Sequence, residues 1–349
     1  MQGAILALAA CANVAELPAE LPHLARLVAA AAAEPEQLAA EMRAEMHATV
    51  MHDLGEWREE DGFTARNASV PVVLAHGMGD SCFNSGMKSV ATAIGKKLGV
   101  YSTCKPTADS WLMDTIDGFL KNMDASVDEF AKRVKADPKL AGGFNALGLS
   151  QGNNLIRGYI QKYNDPPVHA FISTCGINAG VAAFPQCAPS APGIGKVCLA
   201  LNEVLGALAY SSLVQSILFQ ANYFRDPTRL NESAYQQHAQ LAQWNGEGVN
   251  ATLPLAKLNW ARTKRFVWVR GTLDTVVWPN LGEQWGAVTD AYPANLSSVP
   301  MRQTRWYRDD AFGLRTADNV GKHAFEEFAG EHIRFTMAEL DAWLDKYFV

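Results

Sequence analysis

Residues 148–152 of this 349-residue chain read Gly-Leu-Ser-Gln-Gly, a G-x-S-x-G pattern that decides the fold. The apolar run at 144–149 predicts a buried strand, and a helical pattern follows at 151–163. A serine between two glycines at a strand-to-helix turn is typical of a nucleophile elbow, because the turn leaves no room for flanking side chains. The alternative is an ordinary strand–turn–helix corner. We predict that Ser150 is a nucleophile at the start of a helix.

Strand and helix patterns alternate on both sides of this turn. Buried strands are predicted at 70–75, 144–149, 168–173 and 265–271, with further strands at 100–103 and 301–307. Helices are predicted at 87–98, 124–135, 151–163 and 334–347. This alternation predicts an α/β-hydrolase fold, with a mostly parallel central sheet and helices on both faces.

Two segments depart from the alternation. Residues 1–66 are rich in Ala and Glu and predict helices at 21–33 and 35–53, so we interpret them as an N-terminal region of unknown role, before a catalytic domain at 67–349. Residues 177–258 contain a loop with Pro and Cys followed by helical patterns. They predict a helical cap inserted before the next strand.

Composition excludes several classes of function. The net charge is −6, whereas a nucleic-acid partner requires a basic face. The chain has no apolar run of the ~18 residues that a membrane-spanning helix needs. It also lacks an HExxH motif, a P-loop and a complete GxGxxG, so we predict no metal and no cofactor.

The N-terminus and the sequons bear on cellular location. Residues 4–12 are apolar and end in an A-x-A-like site, but no basic residue precedes them, so both a signal peptide and an ordinary helix stay open. Four N-x-[ST] sequons begin at Asn67, Asn231, Asn250 and Asn295. Together they favour a secreted or lumenal protein.

A serine nucleophile needs a base, and in this fold the chain order is Ser, then Asp or Glu, then His. His332 follows Gly330 and Glu331 in a loop just before the last helix, where a base can reach the end of the sheet. We predict His332 as the base. The alternative is His323, which can also be interpreted as a surface histidine.

The acid is predicted at Asp274, which directly follows the strand at 265–271 and would orient the histidine. Its alternative role is an Asx turn within the loop. For the oxyanion hole, we predict the backbone N–H of Gln151, directly after the nucleophile, and that of Met78 in the loop after the first buried strand. His76, which precedes that loop, is predicted to be structural.

Five stretches form a specific combination: residues 76–82 (His-Gly-Met-Gly-Asp-Ser-Cys), 148–152, 223–227 (Tyr-Phe-Arg-Asp-Pro), 313–319 (Gly-Leu-Arg-Thr-Ala-Asp-Asn) and 329–332 (Ala-Gly-Glu-His). Together they resemble the palmitoyl-protein thioesterases, from about residue 70 to the C-terminus. The resemblance implies removal of long-chain fatty acyl groups from cysteine thioesters, in the lysosome or secretory pathway. Its substrates would be S-acylated proteins or peptides, with acyl-CoA as a further candidate.

The resemblance also implies residue roles. The family's nucleophile, acid and base fall on Ser150, Asp274 and His332, its short disulfide loop on Cys187 and Cys198, and its glycosylation sites near Asn231 and Asn250. The chain departs from the family where Phe83 replaces a second cysteine, where Ala131 and Tyr163 replace a disulfide pair, and in its first 66 residues. An esterase acting on oxygen esters and a non-catalytic binding protein of the same fold are the alternative functions.

Overall fold

The computed structural model describes residues 21–49, 70–184, 196–206, 208–249, 253–289 and 297–348. Its strands are β1 (Val72–Ala75), β2 (Ser102–Cys104), β3 (Phe144–Leu149), β4 (Val168–Thr174), β5 (Arg265–Gly271), β6 (Ala287–Val288), β7 (Ser298–Val299) and β8 (His323–Phe328). Its α-helices are α1 (Pro22–Ala33), α2 (Pro35–Thr49), α3 (Ser85–Leu98), α4 (Trp111–Leu120), α5 (Met123–Lys135), α6 (Gly152–Lys162), α7 (Lys196–Val204), α8 (Ser212–Ile217), α9 (Phe219–Tyr223), α10 (Ser233–His238), α11 (Gln240–Asn245), α12 (Pro254–Arg262), α13 (Arg305–Arg308), α14 (Leu314–Asn319) and α15 (Met337–Tyr347).

The central sheet has six strands in the order β2-β1-β3-β4-β5-β8, and every neighbouring pair is parallel. β1 and β3 are buried along their whole length, as expected for strands covered on both faces. Helices α7 to α12 are inserted between β4 and β5. The predicted α/β-hydrolase fold is confirmed, with a helical insertion before the strand that leads to Asp274.

Helices cover both faces of the sheet because successive side chains of a strand point to opposite sides. Val73 packs in one apolar cluster with Ile156 of α6, whereas its neighbour Val72 packs in another with Ile94 of α3 and Leu344 of α15. The sheet is therefore the middle layer of three. The helices do not cover the carboxyl edge of the sheet, where the loops that follow the strands begin.

Two predictions about the C-terminal third were wrong. Residues 301–307 form a 3₁₀ turn (Met301–Gln303) and α13 rather than a strand, and the hydroxyl of Thr304 donates to the carbonyl of Met301 to close that turn. The last strand of the sheet is instead β8, in a stretch for which no strand was predicted. β8 is an edge strand that is only partly buried, so it lacks a continuous apolar run.

The two N-terminal helices pack against the cap and α4. The carboxylate of Glu203 on α7 accepts hydrogen bonds from the first N–H groups of α1, those of His23 and Leu24, at 2.8 and 2.9 Å. In return, the Glu45 carboxylate on α2 accepts from the Cys198 N–H in the first turn of α7, at 3.0 Å. Helix N-termini have unpaired N–H groups, so each partner caps the other. The boundary proposed near residue 66 falls outside the described residues and stays a prediction.

An apolar cluster backs these contacts. It includes Leu24, Leu27 and Met42 of the N-terminal helices together with Leu201 of α7 and Ile116 of α4. The N-terminal helices thus bury their apolar faces on the rest of the chain. Among the helices that the structure describes, none is long and apolar enough to cross a membrane.

Candidate active site

Ser150 lies at the turn between β3 and α6, with φ at 52° in the left-handed region that side-chain-bearing residues rarely adopt. A Cβ atom at Gly148 would lie 2.2 Å from Oδ1 of Asn153, and one at Gly152 would lie 2.3 Å from the carbonyl oxygen of Ala75. Neither position has room for a side chain. Both glycines are therefore required by packing, and the local geometry is that of the predicted elbow.

Two residues distant in sequence lie next to Ser150. Nε2 of His332 is 2.8 Å from Oγ of Ser150, and Nδ1 of His332 is 2.5 Å from Oδ2 of Asp274. All three side chains are buried. The structure thus brings together, in one hydrogen-bonded chain, the residues predicted as nucleophile, base and acid.

Asp274 uses its two carboxylate oxygens differently. Oδ1 accepts from the N–H groups of Val276 and Val277 at 2.7 and 3.0 Å, and Oδ2 faces His332. Asp274 therefore also makes the turn that was considered as its alternative role. Burial alone would raise its pKa, but the hydrogen bond and charge of His332 and the Val277 N–H hold that pKa below its ordinary value. An ionised Asp274 favours the proton on Nδ1, which leaves Nε2 free to accept from Ser150.

The predicted oxyanion donors lie in the loop after β1 and at the elbow. A Cβ at Gly77 would lie 3.3 Å from Cβ of Ser150, so this loop passes directly beside the serine. Within the described parts of the chain, the N–H groups of Met78 and Gln151 donate to no acceptor. Two buried, unpaired donors next to a serine are what an oxyanion hole requires.

A buried ion pair anchors the loop that contains Met78. Nε2 of His76 lies 3.2 Å from Oδ2 of Asp114, on α4. Burial would lower the pKa of His76, but Asp114 raises it to about 9. Burial would raise the pKa of Asp114, but His76, helped by the N–H groups of Thr107 and Cys82, lowers it to about 2. His76 is thus placed as a loop anchor, in agreement with the structural role expected for it.

Neither Asp114 nor its helix was predicted. Asp114 also accepts from the Ser81 hydroxyl, the Cys82 N–H and the Thr107 N–H, so one carboxylate connects two loops. The signal in the sequence was an acidic residue among the apolar side chains of α4, since a buried charge must be paired.

A disulfide joins Cys82 to Cys104. It connects the loop after β1 to the end of β2, whose residue Cys104 is in register with Leu74 of β1. Cys198 is also disulfide-bonded, but Cys187 lies outside the described residues, so their pairing stays a prediction. Cys175 is a free, buried thiol.

The side chain of Gln151 connects the elbow to the cap. Its amide donates to the carbonyl of Gly118 at 2.8 Å, and its Oε1 accepts from the Gln220 amide and the Tyr223 hydroxyl at 2.9 and 3.1 Å. Tyr223 begins the predicted 223–227 motif. Within that motif, Arg225 forms a buried ion pair with Glu247 at 2.6 Å. Tyr223 therefore connects the cap to the elbow, and the ion pair of Arg225 lies within the cap.

His323, the alternative base, is engaged elsewhere. Its Nδ1 accepts from the indole N–H of Trp268 at 2.7 Å, and its Nε2 donates to the carbonyl of Leu314 at 3.1 Å. Burial lowers the pKa of His323 to about 4. A neutral imidazole with both nitrogens in use is a packing residue rather than a base for Ser150.

The remaining predicted sites are glycosylation sites. Asn231 is exposed, as a glycosylated residue must be, and Asn250 lies outside the described residues.

A group of possible metal ligands comprises Cys175, Asp274 and His332. Burial raises the pKa of the Cys175 thiol well above its ordinary value, which disfavours the thiolate that a metal would bind.

Comparisons with known proteins identify the family of the chain. The sequence pattern of the family described as palmitoyl protein thioesterase matches residues 71–332. Palmitoyl-protein thioesterase 1 of Caenorhabditis elegans is 31% identical over 290 residues, which is 81% of this chain and 94% of that protein. Palmitoyl-protein thioesterase 3 of Dictyostelium discoideum is 29% identical over 259 residues, covering 74% and 83%. The lysosomal thioesterase PPT2 homolog of Drosophila melanogaster is 24% identical over 259 residues, covering 72% and 81%. The chain therefore belongs to the palmitoyl-protein thioesterase family.

Proposed function

We propose that this chain is a serine-dependent thioesterase that removes palmitoyl and similar long-chain acyl groups from cysteine side chains. The observation that carries the proposal is the chain of hydrogen bonds from Ser150 through His332 to Asp274. Membership in the palmitoyl-protein thioesterase family supports the choice of a thioester as the bond that is cleaved.

In the proposed mechanism, Oγ of Ser150 attacks the thioester carbonyl while Nε2 of His332 takes the hydroxyl proton. The oxyanion accepts hydrogen bonds from the N–H groups of Met78 and Gln151, each contributing about 3–4 kcal/mol to transition-state stabilisation. The cysteine sulfur leaves and takes the proton from His332. A water molecule, deprotonated by the same histidine, then hydrolyses the acyl-serine.

The leaving group makes this task easier than amide hydrolysis. A cysteine thiol has a pKa of about 8.5, so its thiolate departs with little help from an acid. Orientation and the oxyanion donors then account for most of the proposed acceleration.

An apolar environment beside the elbow supports a fatty acyl substrate. The side chain of Met78 belongs to the cluster that includes Leu201, Ile217 and Leu218 of the cap. We propose that the cap provides an apolar groove for the acyl chain. The same leucine and isoleucine side chains also pack the cap against α4 and the N-terminal helices, and one set of residues can serve both purposes.

The proposed location is the lysosome or the secretory pathway. A Drosophila relative is named a lysosomal thioesterase, the disulfide between Cys82 and Cys104 suits an oxidising compartment, and the sequon residue Asn231 is exposed. We propose S-acylated proteins or peptides as substrates, with acyl-CoA as a second class.

The Ser150→Ala variant tests the proposal. It should lose turnover of an S-palmitoyl peptide, whereas Ser89→Ala, at an exposed serine of α3, should keep it. Retained turnover in Ser150→Ala would contradict the proposal. Rates on thioesters and oxygen esters with the same acyl chain separate a thioesterase from an esterase, and a fluorophosphonate probe should label Ser150 unless the protein is non-catalytic.

A further inference from the structure

A buried carboxyl group lies behind the active site and has no role in the mechanism above. Glu283 belongs to the 3₁₀ helix Asn280–Gln284 and is completely buried. Its Oε2 accepts a hydrogen bond from the N–H of Gly271, the last residue of β5, at 2.9 Å. Its Oε1 is buried and receives no hydrogen bond from the described residues. A buried carboxylate oxygen without a donor is costly, so a proton on that oxygen would resolve the cost.

A protonated Glu283 needs an acceptor for its hydrogen bond, and the groups around it include one. Gly271, whose N–H donates to Glu283, also lies beside Asp274, because a Cβ atom at Gly271 would be 3.3 Å from Cβ of Asp274. The Asp274 carboxylate and the Cys175 thiol both act electrostatically on Glu283. Two buried carboxyl groups in contact cannot both ionise easily, so they share one proton. Burial and the charge of Asp274 raise the pKa of Glu283 well above its ordinary value, while the pKa of Asp274 is held low. The proton therefore stays on Glu283.

We propose that Glu283 is a positioning residue: it is protonated and donates a hydrogen bond to Asp274, which holds that carboxylate against His332. The proposal rests on the proposed function, since it assigns Glu283 a task within the same site. Asp274 can accept this bond beside those from His332 and the loop because a carboxylate offers about four lone-pair directions.

Cys175 extends the support to the backbone next to His332. Its sulfur accepts from the N–H of Ile333 at 3.2 Å, and both residues have positive φ, at 47° and 56°. In the proposal, Glu283 therefore supports Asp274 and, through Cys175, the loop that contains the base. Left-handed backbone at such residues persists only where the surroundings impose it.

Two substitutions separate positioning from simple packing. Glu283→Gln keeps a donor toward Asp274 and an acceptor for the Gly271 N–H, so most of the wild-type kcat should remain. Glu283→Leu keeps the volume but loses both hydrogen bonds, and kcat should fall on the order of 10²-fold with little change in KM, as expected for a displaced catalytic group. Glu36→Leu, at an exposed glutamate of α2, is the matched control and should behave like the wild type.

The pH profile of the glutamine variant tests the protonation state. Replacing a neutral acid by a neutral amide should leave the acidic limb of kcat/KM where it is. If Glu283 were ionised, its loss would remove a negative charge near His332, whose protonated form would be less stable, and the limb would move to lower pH. A shifted limb, or a glutamine variant as impaired as the leucine variant, would overturn the proposal.

Infrared difference spectroscopy tests the same claim without turnover, and also serves if Glu283→Leu does not fold. Ser150→Ala should show the carbonyl stretch of a protonated carboxylic acid at neutral pH that is absent from Ser150→Ala/Glu283→Gln. Identical spectra of the two proteins in this carbonyl region would contradict a protonated Glu283. Because neither protein needs to be active, this result is independent of whether Ser150 is the nucleophile.

Discussion

Nε2 of His332 lies 2.8 Å from Oγ of Ser150, although 182 positions separate the two residues in the sequence. Ser150 follows β3 and His332 follows β8, and both strands belong to one parallel sheet. The carboxyl ends of parallel strands meet at one edge, so residues that follow different strands converge there. Asp274, which follows β5, joins them for the same reason.

Asp274→Asn should reduce kcat by about 10⁴-fold, because an amide at this position favours the wrong tautomer of His332. The fold should persist, since the asparagine oxygen can still accept from the Val276 and Val277 N–H groups. Steady-state kinetics on an S-palmitoyl peptide, with circular dichroism as the folding control, checks this prediction. A folded variant with wild-type kcat would show that Asp274 does not orient the base.

The ion pair between His76 and Asp114 should make stability depend on pH. The pKa of His76 is raised to about 9, so its contribution is complete below its ordinary pKa of about 6.5 and is lost as the pH rises through 9. The pKa of Asp114 is lowered to about 2, so its contribution is complete above its ordinary pKa of about 3.9 and is lost as the pH falls through 2.

The measurement is the free energy of unfolding of the wild type and of His76→Asn across this range. The difference between the two proteins should be largest between about pH 4 and 6.5 and should shrink toward pH 9. A difference that does not vary with pH would mean that His76 is neutral in the folded protein.

Removing the disulfide with Cys82→Ser/Cys104→Ser should lower the free energy of unfolding by about 3 kcal/mol, because a loop of 22 residues is no longer closed in the unfolded chain. The loop with Met78 also loses a tether, so kcat should fall as well. Denaturant unfolding in buffer without added oxidant or reductant measures the loss in the free energy of unfolding. Equal stability of the two proteins would contradict it.

Glu203→Ala should loosen the N-terminal helices, because the His23 and Leu24 N–H groups lose their acceptor. The loss of a helix cap costs about 1 kcal/mol. Hydrogen exchange should quicken in α1 and stay unchanged in α15, which serves as the internal reference. Unchanged exchange in α1 would show that Glu203 does not hold it.

The elbow and the order of its partners could be predicted from the sequence because each depends on local signals. Ser150 stands between glycines after an apolar run, and Asp274 and His332 occupy loops in the chain order of the fold. β8 was not predicted because an edge strand shows a weak apolar pattern.

The supporting residues could not be predicted because their partners are distant in the chain. Asp114 and Glu283 are acids whose pairing with His76 and Asp274 depends on how the strands and helices pack. The disulfide between Cys82 and Cys104 likewise depends on β1 and β2 being neighbours in the sheet. The spacing of the cysteines alone leaves several pairings open.

The most direct test of the central claim is to trap the acyl-enzyme. The protein is mixed with an S-palmitoyl-cysteine peptide, quenched in acid within the first turnover, digested and analysed by mass spectrometry. We expect palmitate on the peptide that contains Ser150, and its absence from Ser150→Ala. Palmitate on a residue other than Ser150 would contradict the account. Full turnover without any acyl-serine, in the wild type or in Asp274→Asn, would contradict it as well.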